Sequence, residues 1–192
     1  MNKEVRLLNE NLEMRAIEDE QNEMIIEGYA VVFNSPATYD YTEVISNRAL
    51  DNADMTDVVL RYNHNDSFLC LARTKGGSLE LTVDEKGLKI KAKLNPNITE
   101  HKNIYEAIKA GLLDKMSFAF SVDEDTYDYE TNTRTINSIK KLYDVSVVDQ
   151  PFYDSTSIYA RSLEKSSNDI KEIRKHKEEL ENAKKEIMSK LG

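Results

Sequence analysis

The sequence predicts a mainly β protein with flanking helices, an α+β body followed by a helical tail. Three observations predict it. Short apolar or alternating runs bounded by turn residues recur through roughly the first 160 residues. Within that stretch only residues 97–112 carry a clear helical period. Beyond residue 163 there is no proline, and Lys and Glu dominate. The expected division is a body over 1–162 and a charged amphipathic tail over 163–192.

The elements follow in order. Leu12–Ile17 and Met24–Phe33 read as strands joined by the polar turn EDEQN, and Gly28 inside the second marks a bulge or a close backbone approach. NSPATYD is a loop, and Asn47–Ala53 reads as a short helix. Val58–His64 reads as a strand with Leu60, Tyr62 and His64 on one face. Ser78–Val83 and Leu88–Leu94 alternate cleanly about DEKG, which predicts a hairpin.

For 97–112, Asn97 and Glu100 resemble a capping box. Ile104, Tyr105, Ile108 and Leu112 form the apolar stripe, and Gly111 marks the stop. Lys115–Val122 is a strand, DEDTYDYETNT an acidic hairpin tip, and Arg134–Val148 the returning strand or strand pair. Gln150-Pro151 ends it, and Thr156–Ala160 adds a last short strand. In the tail Ile173, Leu180 and Ile187 are seven apart, but Lys177 and Lys184 fill companion heptad positions. A weak coiled coil, a solvated amphipathic helix and a docking helix for a partner all fit.

The formal charge is −9, and the last 32 residues carry a small positive excess, so the body is more acidic still. Such a body repels phosphates, which argues against a nucleic-acid role. The lone Cys70 forms no internal disulfide, supports no cysteine-based zinc site, and in the run FLCLA reads as a small buried hydrophobe. No run is long enough to span a membrane, and the charged N-terminus lacks a signal-peptide core. The expectation is a soluble protein of a reducing, bacterial-type cytoplasm.

Three residues carry candidate chemistry. Ser117 shares a strand face with Ala119 and Ser121, while Met116, Phe118 and Phe120 share the other. The small face leaves space for an acyl group; a solvent-facing serine explains the same pattern. His64, at the end of an apolar strand, is the best base, because His101 and His176 both read as solvated; a structural histidine is the equal alternative. Asp144 lies inside the apolar run LYDVSVV and needs a donor, either His64 or a surface lysine such as Lys140 or Lys141. Asp149, at the strand end, is its rival. G-x-S-x-G is absent, and the order His, Ser, Asp differs from the commonest triad orders.

In their order, the stretches EGYAVVFN, VVLRYNHND, LARTKGGSLEL, DEKGL, IKAGLLDKMSFAF and LYDVSVVDQPFYDSTSIYAR resemble the prohead maturation proteases of tailed phages, a lineage related to herpesvirus assemblins. The resemblance spans residues 12–161. It implies a small β-barrel of the herpesvirus-protease type and a serine endopeptidase. His64 matches the family histidine, Ser117 the nucleophile and Asp144 the acidic position. It implies action inside the procapsid, in the bacterial host, on scaffold or the scaffolding segment of the major capsid protein, and on the protease itself. No metal or cofactor is implied, and a homo-oligomer is compatible. Pro151-Phe152-Tyr153 stands where relatives commonly have Pro-Ala. A non-catalytic assembly protein on the same barrel and a small-ester or amide hydrolase remain the alternatives.

Overall fold

The computed structural model describes residues 3–7, 14–18, 23–38 and 40–149, and in the tail residues 168, 170–180 and 182. The strands are β1 (Glu4–Leu7), β2 (Arg15–Glu18), β3 (Met24–Val32), β4 (Ala37–Thr38), β5 (Thr42–Ile45), β6 (Val59–Tyr62), β7 (Ala72–Arg73), β8 (Leu79–Val83), β9 (Gly87–Leu94), β10 (Lys115–Asp128) and β11 (Thr133–Val148), with α1 (Thr99–Lys109) between β9 and β10.

They form two sheets. The larger runs β1-β10-β11-β5-β4, with β6 also on β11 and β7 on β6; the smaller is β2-β3-β9-β8. Both feed one core, in which Ile26, Val31, Leu88 and Ile90 meet Met116, Phe118, Leu142 and Val145. The expectation of a mainly β body with few helices holds. The closed barrel does not: among the described residues the pairings leave open edges. One edge of β11 is divided between two short parallel strands, β5 at Thr133–Ile136 and β6 at Asp144–Val147. Their outer neighbours β4 and β7 are two residues long and carry the pairing no further.

Local departures from the sequence expectations have physical causes. Residues 47–53 form successive turns instead of a helix. The carbonyls of Ala49 and Asp54 accept hydrogen bonds from Ile139 and Leu142 of β11, so this segment serves the sheet. The helix begins at Thr99, and Asn97 does not cap it; the Asn97 N–H goes instead to Asn95 Oδ1 at 2.9 Å. The left-handed Gly111 (φ 71°) follows its end, as expected. Because the period breaks there, Leu112 is 72% exposed and Leu113 takes the buried position.

Two glycines are needed for close approach. A Cβ at Gly28 would lie 3.2 Å from Met14 Cα, and one at Gly87 would lie 2.0 Å from the Val31 carbonyl oxygen. In the tail, residues 170–180 are helical, but the expected heptad pair Ile173 and Leu180 is half exposed. The helix meets the hairpin tip through cations: Arg174 lies over the Tyr127 ring and Lys177 over the Tyr129 ring, 5.5 and 4.2 Å from the centroids. The predicted turn EDEQN lies outside the described residues apart from Glu18; Gln150-Pro151, Thr156–Ala160 and Ile187 lie wholly outside them.

Candidate active site

The site begins with sheet register. β10 and β11 pair antiparallel, with Ser117 opposite Ser146 and Ala119 opposite Asp144. Directly opposed residues share a face, so Ser117, Asp144 and Ser146 project together. β6 runs parallel beside the end of β11, with Val59 against Asp144 and Tyr62 against Val147.

His64 is not on that strand. β6 ends at Tyr62, and Asn63 and His64 both take left-handed conformations, φ 51° and 53°. That conformation is uncommon for a non-glycine residue, asparagine tolerating it best, and it persists only where neighbours hold it. Here the Asn63 N–H donates to the Val147 carbonyl at 2.9 Å and the His64 N–H to Ser146 Oγ at 3.2 Å. Asn63 and Asp149 exchange bonds, Nδ2 to Oδ1 at 3.1 Å and the Asp149 N–H to Oδ1 of Asn63 at 3.3 Å. The turn swings the imidazole over the face that carries the other two residues.

His64 Nε2 lies 2.6 Å from Ser117 Oγ, and His64 Nδ1 is hydrogen-bonded to Asp144 Oδ1. Facing an ionised, acceptor-only carboxylate, Nδ1 carries the proton and leaves the Nε2 lone pair toward the serine. Asp144 is 2% exposed. Burial pushes its carboxyl pKa up, but bonds and charge from His64 and Lys3 outweigh burial and hold it below the ordinary range. Lys3 Nζ reaches Oδ2 at 2.9 Å, so the lysine beside Asp144 is neither Lys140 nor Lys141; Lys141 pairs with Asp54.

The other candidates separate from this group. Asp149 holds the turn and accepts a bond from the Tyr62 hydroxyl at 2.8 Å. His101, expected in solvent, is 5% exposed: its Nδ1 accepts the Asn95 N–H and its Nε2 bonds the Cys70 carbonyl, each at 3.1 Å. His176 is exposed, as expected. Among the described residues no cluster of three or more His, Cys, Asp or Glu is arranged to hold a metal.

Two features escaped the sequence reading. One is Ser146, fully buried between His64 and Asp144; its signal was the D-x-S spacing on one strand face. The other is β1, whose signal was the alternation in EVRL. β1 pairs antiparallel with β10, Leu7 opposite Ser117 and Glu4 opposite Phe120. β1 thus fills the edge of β10 beside Ser117, and the small face expected to be open is buried, Ser117, Ala119 and Ser121 alike. Ser117 is 2% exposed, and its Oγ lies 2.7 Å from the Arg6 carbonyl oxygen. The hydroxyl has one proton and two acceptors, the Arg6 carbonyl and His64 Nε2.

Buried charge anchors β1. Arg6 and Arg134 both bond Glu43, Arg6 Nη2 at 2.8 Å and Arg134 Nη1 at 3.0 Å to Oε2. Arg134 also bonds Glu4 and Asp125, at 2.8 and 2.6 Å. Burial opposes the charge on both guanidiniums, but these carboxylates raise both pKa values above the ordinary arginine range.

The family model described as caudovirus prohead serine protease matches residues 10–171. The chain belongs to that family. A curated relative, the prohead protease of Enterobacteria phage HK97, is 31% identical over 153 residues, 78% of this chain. The chain spans 64% of that relative's length. Among solved structures, the bacteriophage T4 capsid assembly protease matches at 13% identity and a TM-score of 0.48, over 78% of this chain and 97% of that one. A likeness of that size adds nothing to the argument. The matched stretch, residues 10–171, contains His64, Ser117 and Asp144, the three residues that the fold brings together.

Proposed function

We propose that this chain is a serine endopeptidase that processes scaffold, or the scaffolding segment of the major capsid protein, and itself, inside the procapsid of a tailed phage in its bacterial host. In this reading residues 1–162 are the protease domain, of the same general build as herpesvirus proteases, and 163–192 the tail. Ser117 Oγ attacks the scissile carbonyl as His64 Nε2 takes its proton. The imidazolium then gives that proton to the leaving amine. Asp144 keeps the imidazole in the Nδ1–H tautomer and stabilises the imidazolium. A substrate carbonyl reaches Ser117 only after β1 has left the edge of β10.

The observation that carries the reading is the 2.6 Å separation of His64 Nε2 and Ser117 Oγ, with Asp144 on the other ring nitrogen. A non-catalytic assembly protein has no need of that contact, and the family is one of serine proteases. The experiment is co-expression of the full chain with the major capsid and scaffold proteins of the same phage, followed by mass spectrometry of the products. Wild type should give cleaved coat or scaffold, and Ser117→Ala only intact protein. Identical products from both would overturn the reading.

A further inference from the structure

Ser146 lies at the junction of the other site residues. It faces Ser117 across the β10–β11 ladder and Arg61 of β6 on the other side. It is fully buried, and its Oγ has three polar neighbours: the His64 backbone N–H at 3.2 Å, His64 Nδ1 at 3.1 Å and Asp144 Oδ1 at 3.2 Å.

A hydroxyl has one proton and two lone pairs. Its proton has one full acceptor here, the carboxylate oxygen of Asp144, because Nδ1 carries its own proton. Its lone pairs face the His64 N–H and the Nδ1–H. The oxygen thus accepts from the His64 backbone, lies beside the Nδ1 proton that Asp144 accepts, and donates to the carboxylate that orients the ring.

We infer that Ser146 is a positioning residue of the site, fixing the left-handed backbone of His64 and the Asp144 carboxylate in one register. It rests on the reading of His64, Ser117 and Asp144 as a catalytic set. Two consecutive left-handed non-glycine residues are costly, and the Val147 carbonyl and Asn63–Asp149 pair hold only Asn63. The backbone N–H of His64 goes to Ser146. Without that hydroxyl the His64 backbone loses its own tether and the ring is held only through Asp144 and Ser117, and misplacement of a reacting group by about 1 Å costs roughly 100-fold in rate.

The test uses the isosteric pair Ser146→Thr and Ser146→Val in the full chain, with Ser146→Ala removing the hydroxyl without added bulk. The probe is a fluorophosphonate: Ser117 Oγ forms the P–O bond, fluoride leaves, and the proton goes to His64. The threonine variant should keep the wild-type maximal rate of inactivation. The valine and alanine variants should lose roughly 100-fold in that rate with the probe's half-saturating concentration unchanged. Independently of any turnover, the low-field proton resonance of His64 Nδ1–H should persist with threonine and shift or broaden with valine and alanine. If alanine matches wild type, or valine matches threonine, in both rate and resonance, the inference is overturned. If no variant, wild type included, reacts with the probe, the strand beside Ser117 has stayed shut, and the resonance alone decides the place of Ser146.

Discussion

The Arg6 carbonyl oxygen lies 2.7 Å from the Ser117 hydroxyl oxygen, on the strand that also covers Ser117. As the proposed nucleophile, Ser117 would react only when this cover opens. Deleting residues 1–7 should therefore raise the rate at which a fluorophosphonate labels Ser117, by at least about tenfold if strand opening costs more than roughly 1.4 kcal/mol. Labelling followed by intact-mass measurement checks it, with circular dichroism to verify the fold. An unchanged rate would show that β1 does not limit access.

Asp144 and Asp149 should separate by mutation. Asp144→Asn replaces the acceptor on His64 Nδ1 with a group that can present the wrong tautomer, a change that costs on the order of 10⁴-fold in a comparable triad. Asp149→Asn keeps the hydrogen-bonding shape of the Asn63 turn and should cost much less. Fluorophosphonate labelling in the 1–7 deletion background reads both. A larger loss at position 149 would exchange their roles.

Glu43 is the shared anchor of Arg6 and Arg134. Glu43→Gln leaves two buried guanidiniums short of a counter-charge, a class of change that costs about 3–5 kcal/mol. Denaturant unfolding in a Ser117→Ala background should show that loss. It should be accompanied by faster amide exchange at residues 4–7, since Arg6 ties that strand to the sheet.

Acid should weaken the site through Asp144. Its folded-state pKa lies below that of an unfolded aspartate, near 3.9. The stability it contributes is therefore fully present above that value and is lost as pH falls through the folded pKa. Glu4 is shifted in the same direction, because its bonds and charge contacts with Arg134 and Arg6 outweigh burial. Melting temperatures below about pH 4 should fall less steeply for Asp144→Asn than for wild type.

The β8–β9 hairpin, the β10–β11 hairpin and the stop at Gly111 were legible in the sequence, and so were His64, Ser117 and Asp144 as the candidates that the fold brings together. Each announces itself by local chemistry: alternation, turn residues, or a polar group stranded among apolar ones. What stayed hidden depends on distant partners. His101 reads as solvated because only the fold brings the Cys70 carbonyl to it. His64 reads as the end of a strand because nothing local requires two left-handed residues there; the Val147 carbonyl and Ser146 hydroxyl, more than 80 positions away, require them. β1 reads as a charged leader because Glu4 and Arg6 look like surface residues until Glu43 and Arg134 close over them.

The division of β11 between β5 and β6 also governs when the site can exist. β6 has no place to lie until residues 144–147 are made, and β1 waits for β10, more than 100 positions downstream. A nascent chain emerging at roughly 5–20 residues per second therefore spends on the order of 10 s with its histidine, then its serine, exposed but not assembled. The strand that lies beside Ser117 is synthesised first, so when Asp144 arrives the cover is already at hand.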